Sequence, residues 1–230
     1  MSGNSRVVIS NQVGMHPDLH ELVSKHLTTR FAKPYQPHSV DAFQRCQQVI
    51  QQHQKPLILD SGCGIGMSTA AIAQQYPDHW VIGIDRSSNR LNRNQQDPSF
   101  LVDGNKILIR ADLEDFWRLA VEQGWTLAKH YLLYPNPYPK KKHIQRRWHG
   151  HPVFSALLAL GGDIELRSNW PIYLEEFVQA VEIANYGKGS VQRFTPSSFL
   201  TPFEKKYFDS NQALYKAVIV KTTSHTTPNT

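Results

Sequence analysis

"LILDSGCGIGMS", residues 57–68, runs from an apolar segment through a glycine-rich turn into the start of a helix, and its reading decides the fold. "LILD" (57–60) has the length and composition of a buried strand, and "GMSTAAIAQQY" (66–76) reads as the helix that follows. Gly62, Gly64 and Gly66 let the turn close and let backbone N–H groups approach a ligand beside the helix N-terminus. The third glycine follows the second by two residues, and Met67 stands where a dinucleotide-binding GxGxxG loop wants glycine. No G-K-S/T follows, so the loop is not of the nucleotidase kind that cradles phosphates. Three acids lie at three strand ends. Asp60 ends the strand before the loop, and Asp85 closes "WVIGID" (80–85), 19 residues beyond Gly66, where a carboxylate can take both hydroxyls of a ribose. Asp112, in "IRADLEDF", is placed to accept from an adenine amino group. The bland alternative makes Asp60 and Asp112 helix caps or loop solvators.

Outward from this turn, strands and helices alternate, which predicts an α/β fold with a mostly parallel sheet covered by helices on both faces. Upstream, "VDAFQRCQQVIQQH" (40–53) puts Val40, Phe43, Cys46, Val49 and Ile50 on one helical face. Downstream, strands are expected at 106–110, 130–134, 162–168 and 215–222, with helices at 87–96, 113–124, 153–160 and 171–186. Residues 1–39 read as an N-terminal extension, with 1–30 a loosely held arm and 31–40 a proline-containing loop. Residues 40–222 form the domain, and 223–230 a frayed tail.

The chain of 230 residues suffices for one sizeable core. It has no apolar run near the about 18 residues that a membrane helix needs, so no membrane association is expected. The N-terminus lacks the basic start and apolar core of a signal peptide. Two cysteines, Cys46 and Cys63, give neither a disulfide framework nor a CxxC metal pair, which suits a reducing cytoplasm. Cys63 has no basic partner beside it and reads as a small filler. The histidines show no metal spacing, so no metal site is expected. A net charge of +6 leans toward an anionic partner.

That charge is concentrated in "YLLYPNPYPKKKHIQRRWHGHP", residues 131–152. A strand there ends at Asn136, and prolines on either side fix the backbone so that the side chain is aimed. Tyr138 offers a face on which a base could stack. Lys140, Lys141, Lys142, His143, Arg146, Arg147, His149 and His151 form a footprint suited to phosphates. A charge run alone would read as a solvated loop; this one starts at the predicted ligand mouth.

The glycine loop with its three acids resembles the class I methyltransferases that bind S-adenosylmethionine (SAM), over residues 55–134. That resemblance implies a Rossmann-like, mostly parallel seven-stranded sheet, and SAM held by Asp60, Gly62, Gly64, Gly66, Asp85, Asp112 and Asn136. "YPNPYPKKKHIQRRW" resembles in order and spacing the F-P-D-P-W-x-K-K-(R/K)-H-x-(K/R)-R-R element of the bacterial tRNA (guanine-N7)-methyltransferases. "LALGGDIELRSNWPIYLEEF" and "FLTPFEKKYFDSNQALYKAVI" resemble that family's downstream elements, extending the similarity to residues 55–220. Carried across, Asn136 lies at the reaction centre, and Tyr138, Lys140, Asn169, Thr201 and Glu204 meet the guanine or its neighbours. The chain departs from the family at Asn136 and Asn169, where the family has aspartates; Glu204 remains to accept from the guanine edge. The implied partner is tRNA, with monomer and homodimer both open. Two alternatives stand beside N7 methylation. Asn136-Pro137-Tyr138 is similar to the (Asp/Asn/Ser)-Pro-Pro-(Tyr/Phe) signature of methyltransferases acting on exocyclic amines of bases. The two lost carboxylates fit a weakly active SAM- or RNA-binding paralogue.

Overall fold

The computed structural model describes residues 5–87 and 99–222. Most of the helix expected at 87–96, and all of the tail 223–230, lie outside the described residues. The strands are β1 (Leu57–Ser61), β2 (Trp80–Asp85), β3 (Phe100–Asp103), β4 (Lys106–Arg110), β5 (Leu127–Leu133), β6 (Asp163–Ser168), β7 (Gly187–Phe194) and β8 (Leu214–Lys221). The helices are α1 (Leu19–Thr28), α2 (Pro37–Gln52), α3 (Met67–Gln75), α4 (Leu113–Glu122), α5 (Phe154–Ala159), α6 (Pro171–Ile183) and α7 (Pro202–Asp209).

One sheet runs in the order β3-β4-β2-β1-β5-β6-β8-β7. The strands β4, β2, β1, β5 and β6 pair in parallel, while β3, β8 and β7 join antiparallel. Eight strands stand where seven were expected, and besides β7 the strand outside the expected ranges is the short edge strand β3. It forms a hairpin with β4 across Gly104-Asn105, where Gly104 takes φ +60°. Gly-Asn between two short runs is a hairpin signal, and it explains the additional strand.

Successive residues of a strand point to opposite faces, and the core follows that alternation. Leu59, Ile82, Ile84, Ile107, Ile109, Leu132 and Ile164 face the main cluster, which α1, α2, α4, α5 and α6 cover. Trp117, Trp125 and Phe177 are buried in it. Ile58, Val81, Tyr131 and Leu133 face the other side and meet Ile72 and Ala73 of α3. Gly83 in β2 lets α3 sit this close, since a Cβ there would run into the Thr69 side chain.

Within the stretch expected as a loosely held arm, residues 12–23 are packed into the fold. Leu19 and Val23 of α1 are buried in the main core, and Gln12 and His16 are buried just ahead of them. Apolar positions four apart on a short helix supplied enough area to seat it, although the polar residues between them hid the pattern. Proline suits the first helical position, so α2 opens at Pro37 within the stretch expected as a loop. Among the described residues no helix is long and apolar enough to cross a membrane.

Candidate active site at the sheet's switch point

From β1 the chain winds one way to β2 and β4, then returns to place β5 and β6 on the other side. Such a reversal opens a crevice beyond the carboxyl ends of the two central strands. The register sets Asp60 of β1 beside Gly83 of β2 and Tyr131 of β5, so both banks of the crevice start level with Asp60.

The first bank is the glycine loop. Gly62, Gly64 and Gly66 take φ of +84°, +61° and +79°, conformations that cost other residues strain. Gly62 N and Cys63 N donate to Ile84 O at 2.8 and 3.1 Å, which pins the loop to β2. Gly64 N and Ser87 N donate to the two oxygens of Asp85 at 3.0 and 2.8 Å. Among the described residues, chain neighbours aside, no atom lies within 4 Å of where a Cβ would stand on Gly62 or Gly64.

Asp60 is buried and accepts from the Ser68 and Thr69 hydroxyls at 2.6 and 2.7 Å, joining β1 to the first turn of α3. Burial pushes its carboxyl up to about 6, against the lowering by these two bonds and with a further rise from Asp85. Ser68 and Thr69 were not singled out in the sequence, although their place in the first turn of the helix was visible there. Asp112 sits at the N-cap of α4 without a side-chain cap bond, its carboxylate 3.8 Å from His38 Nε2. Cys63 is buried, and burial foremost, with Asp60 and Asp85, holds its thiol well above the usual range, as suits a filler.

The second bank follows β5. Tyr134 and Tyr138 both adopt left-handed backbone, φ +53° and +43°, and Pro135-Asn136-Pro137 lies between them. Asn136 is exposed, and its Oδ1 accepts from Tyr138 N at 3.3 Å. Tyr134 is held twice: its N–H donates to Arg167 O at 2.8 Å and its hydroxyl to Glu204 Oε1 at 3.0 Å.

Glu204 is fully buried. Besides Tyr134 it accepts from Arg167 Nη1 at 2.8 Å and from Leu200 N at 2.8 Å. Thr201 is the N-cap of α7, its hydroxyl accepting from Glu204 N at 3.0 Å. The pair is thus a capping-box variant. The guanine-edge role expected of Glu204 meets a carboxylate already engaged by three donors. Asn169 follows the neighbouring strand β6, and its side chain donates to Gln212 at 2.7 Å. Arg167, which joins Glu204 to Glu165, carried no sequence signal beyond its place near a strand end.

The basic run divides in two. Lys140, Lys141, Lys142 and Arg146 are exposed, and with Asn11, His16 and Asp18 the three lysines line a cavity of about 380 Å³. Arg146 lies over the Tyr138 ring at 5.8 Å, and His143 meets that ring edge-on at 6.3 Å. Arg147 and His149, expected in the phosphate footprint, are instead fully buried against Glu176. A linear run of charge carries no information on depth, and here an acid 29 residues away draws Arg147 inward. A larger cavity, about 540 Å³, is lined by residues 30–35, α4 and α5.

The comparisons agree with this architecture. A 16S rRNA methyltransferase, KamB, superposes with a TM-score of 0.56 over 84% of this chain and 97% of its own, at 14% identity. A variant of the 16S rRNA (adenine(1408)-N(1))-methyltransferase of Catenulisporales acidiphilia, with its cosubstrate SAM, gives 0.52 over 79% and 92%, at 13% identity. In sequence, the tRNA (guanine-N(7)-)-methyltransferase of Thiobacillus denitrificans is 26% identical over 78% of each chain. The enzyme of that name from Treponema pallidum is 26% identical over 72% of this chain and 67% of its own. Residues 54–217 match the family model described as "Putative methyltransferase", which spans both banks of the crevice, and the chain belongs to that methyltransferase family.

Proposed function

We propose that the protein transfers a methyl group from SAM to N7 of a guanine in tRNA. The observation that carries this reading is the pairing of two banks at one switch point, a glycine loop pinned to Asp85 and an exposed Asn136 beside a lysine-lined cavity. Relatives named for this reaction cover most of the chain. A cytoplasmic tRNA partner goes with that reading.

The residues of the first bank fit SAM. Asp85 ends β2 and holds the loop amides, which places its carboxylate where a ribose diol would lie. Asp60, held by Ser68 and Thr69 beside the glycine loop, would pair with the methionine ammonium in its ionised form, and Asp112 would accept from the adenine amino group. When bound, SAM supplies a methyl on a sulfonium centre.

Guanine N7 carries a lone pair and no proton, so the protein needs no general base. Its task is to align N7 with the methyl and to support the positive charge that grows on the imidazole ring. Asn136 offers a side-chain dipole where its exposure allows contact. Tyr138, backed by Arg146 and His143, offers a stacking face, and Lys140–Lys142 the phosphate contacts. Glu204 serves as a post for the loop, since its charge is matched by Arg167.

A second reading keeps one specific support. Asn136 Oδ1, exposed between two prolines, could accept from an exocyclic amine of adenine or cytosine. Incubating the protein with unmodified tRNA and labelled SAM, then identifying the methylated nucleoside by mass spectrometry, separates the two. N7-methylguanosine is expected; a methylated amine promotes the second reading, and no product with SAM bound points to an inactive paralogue.

A further inference from the structure

We propose that Arg147 is a positioning residue that holds the mouth loop of the active site and ties it to the N-terminal segment, rather than a phosphate contact; its effect on transfer rests on the reaction proposed above. Its guanidinium is fully buried and lies over the Trp170 ring at 4.8 Å. Nε and Nη2 donate to the Tyr138 carbonyl at 3.2 and 3.0 Å, and Nη2 also to Gln12 Oε1 at 3.0 Å. Nη1 donates to Glu176 Oε2. Glu176, equally buried, accepts from Gln12 Nε2 at 2.6 Å, His16 N at 2.9 Å and His149 Nε2 at 2.9 Å. Three segments distant in sequence therefore meet at one buried ion pair.

A buried pair is weak as a stabilising device, because desolvation offsets most of its attraction. What it supplies here is geometry. Tyr138 stands at φ +43°, a backbone that a non-glycine residue keeps only where its surroundings hold it. The forked guanidinium does so by gripping the Tyr138 carbonyl twice. The N-terminal segment brackets the same loop, with Ser10 Oγ donating to Pro139 O at 2.6 Å and Lys141 N donating to Asn11 Oδ1 at 3.0 Å. Asn136 and Tyr138 are thus aimed from behind, and Lys140–Lys142 are presented together with residues 10–18.

Adjacent arginines then have opposite tasks. Arg146 faces solvent, and Arg147 faces inward. The test is the double variant Arg147→Met/Glu176→Gln, which removes both charges so that neither stays buried alone. Arg147→Lys accompanies it, because an ammonium keeps the charge but lacks the fork. Hydrogen exchange on peptides covering 134–143 should quicken about tenfold in both, with α3 peptides unchanged. Single-turnover methylation at saturating tRNA should fall about 100-fold, as misplacement by an ångström does, while SAM affinity and the salt dependence of tRNA binding hold. Arg146→Ala should do the reverse, flattening the salt slope. Wild-type exchange in the double variant, or faster exchange with an unchanged rate, overturns the proposal. If the wild-type protein transfers no methyl to guanine, the proposed reaction fails, and the exchange arm still decides whether Arg147 holds the loop.

Discussion

The two banks of the crevice are built by different physics. The glycine loop is assembled from its own neighbourhood: residues 60–69 and 84–87 supply the backbone amides, the two carboxylates and the hydroxyls that hold it. The proline loop is assembled from afar. Its two left-handed tyrosines are held by Glu204 and Arg147, and Arg147 is in turn fixed by Glu176 and Gln12. A local construction tolerates variation elsewhere in the chain; a remote one makes the position of Asn136 depend on Glu204 of α7 and Glu176 of α6. Variants that damage one bank should therefore leave the other's ligand unaffected.

The largest expected effect lies on the first bank. Asp85→Ala releases the Gly64 and Ser87 amides, and on the proposed reading it also removes two charge-assisted hydrogen bonds to a ribose, so SAM affinity should fall about 1,000-fold. Binding of tRNA should change little. Calorimetry with SAM and a filter assay with tRNA measure the two; unchanged SAM affinity would remove the assignment of the first bank.

The next effect is a gain on the second bank. If transfer is slow, Asn136→Asp should quicken it by about 100-fold, since one well-placed electrostatic group is worth roughly 3 kcal/mol to a growing charge. Single-turnover rates decide it. Loss of activity would mean that the amide has a hydrogen-bonding role of its own, and the charge argument would be wrong.

These two predictions differ in how directly the sequence leads to them. The strands β1, β2, β4, β5, β6 and β8, the glycine loop and the acids at its edge were all legible, because short-range pattern determines them. Strand β7 was not, because "GKGSVQRF" is a largely solvated edge strand whose order comes from the ladder with β8. The split of the basic run into outward lysines and an inward Arg147 was equally hidden. It depends on Glu176, whose pattern in the sequence is only that of a polar residue on an amphipathic helix. Likewise "TPFE" gave its residues away as special but not the reason, which is a helix cap bonded to Tyr134.

A third measurement tests how far that split extends. Replacing Lys140, Lys141 and Lys142 together by alanine should lower the slope of log affinity against log salt by up to about 3, one unit for each phosphate no longer neutralised. The weakening should be similar for all tRNAs, with SAM affinity held. A slope unchanged from wild type would mean that these lysines are solvated and that the RNA approaches from elsewhere.

The smallest effect is a pH dependence that separates the banks again. Asp60 has its carboxyl raised to about 6 by burial, so its protonated form is the one the fold favours. Its contribution to stability is full below the ordinary carboxylate pKa of about 4 and is lost as pH rises through 6. An ammonium group bound beside it reverses the preference, so binding below pH 6 must expel a proton. SAM affinity should then rise about tenfold between pH 5 and 7 and level off above, and Asp60→Asn should flatten the profile. Glu176 runs the other way. Burial would raise its carboxyl, but the hydrogen bond from His149 and the Arg147 guanidinium outweigh it and hold it at about 2. Its stabilisation is present above the ordinary glutamate pKa of about 4 and is lost only as pH falls below that. Across pH 5–7, then, calorimetry should see the first bank titrate, while thermal unfolding reports no loss from the second. A SAM affinity flat over that range would place the ammonium away from Asp60 and leave the carboxylate only its bonds to Ser68 and Thr69.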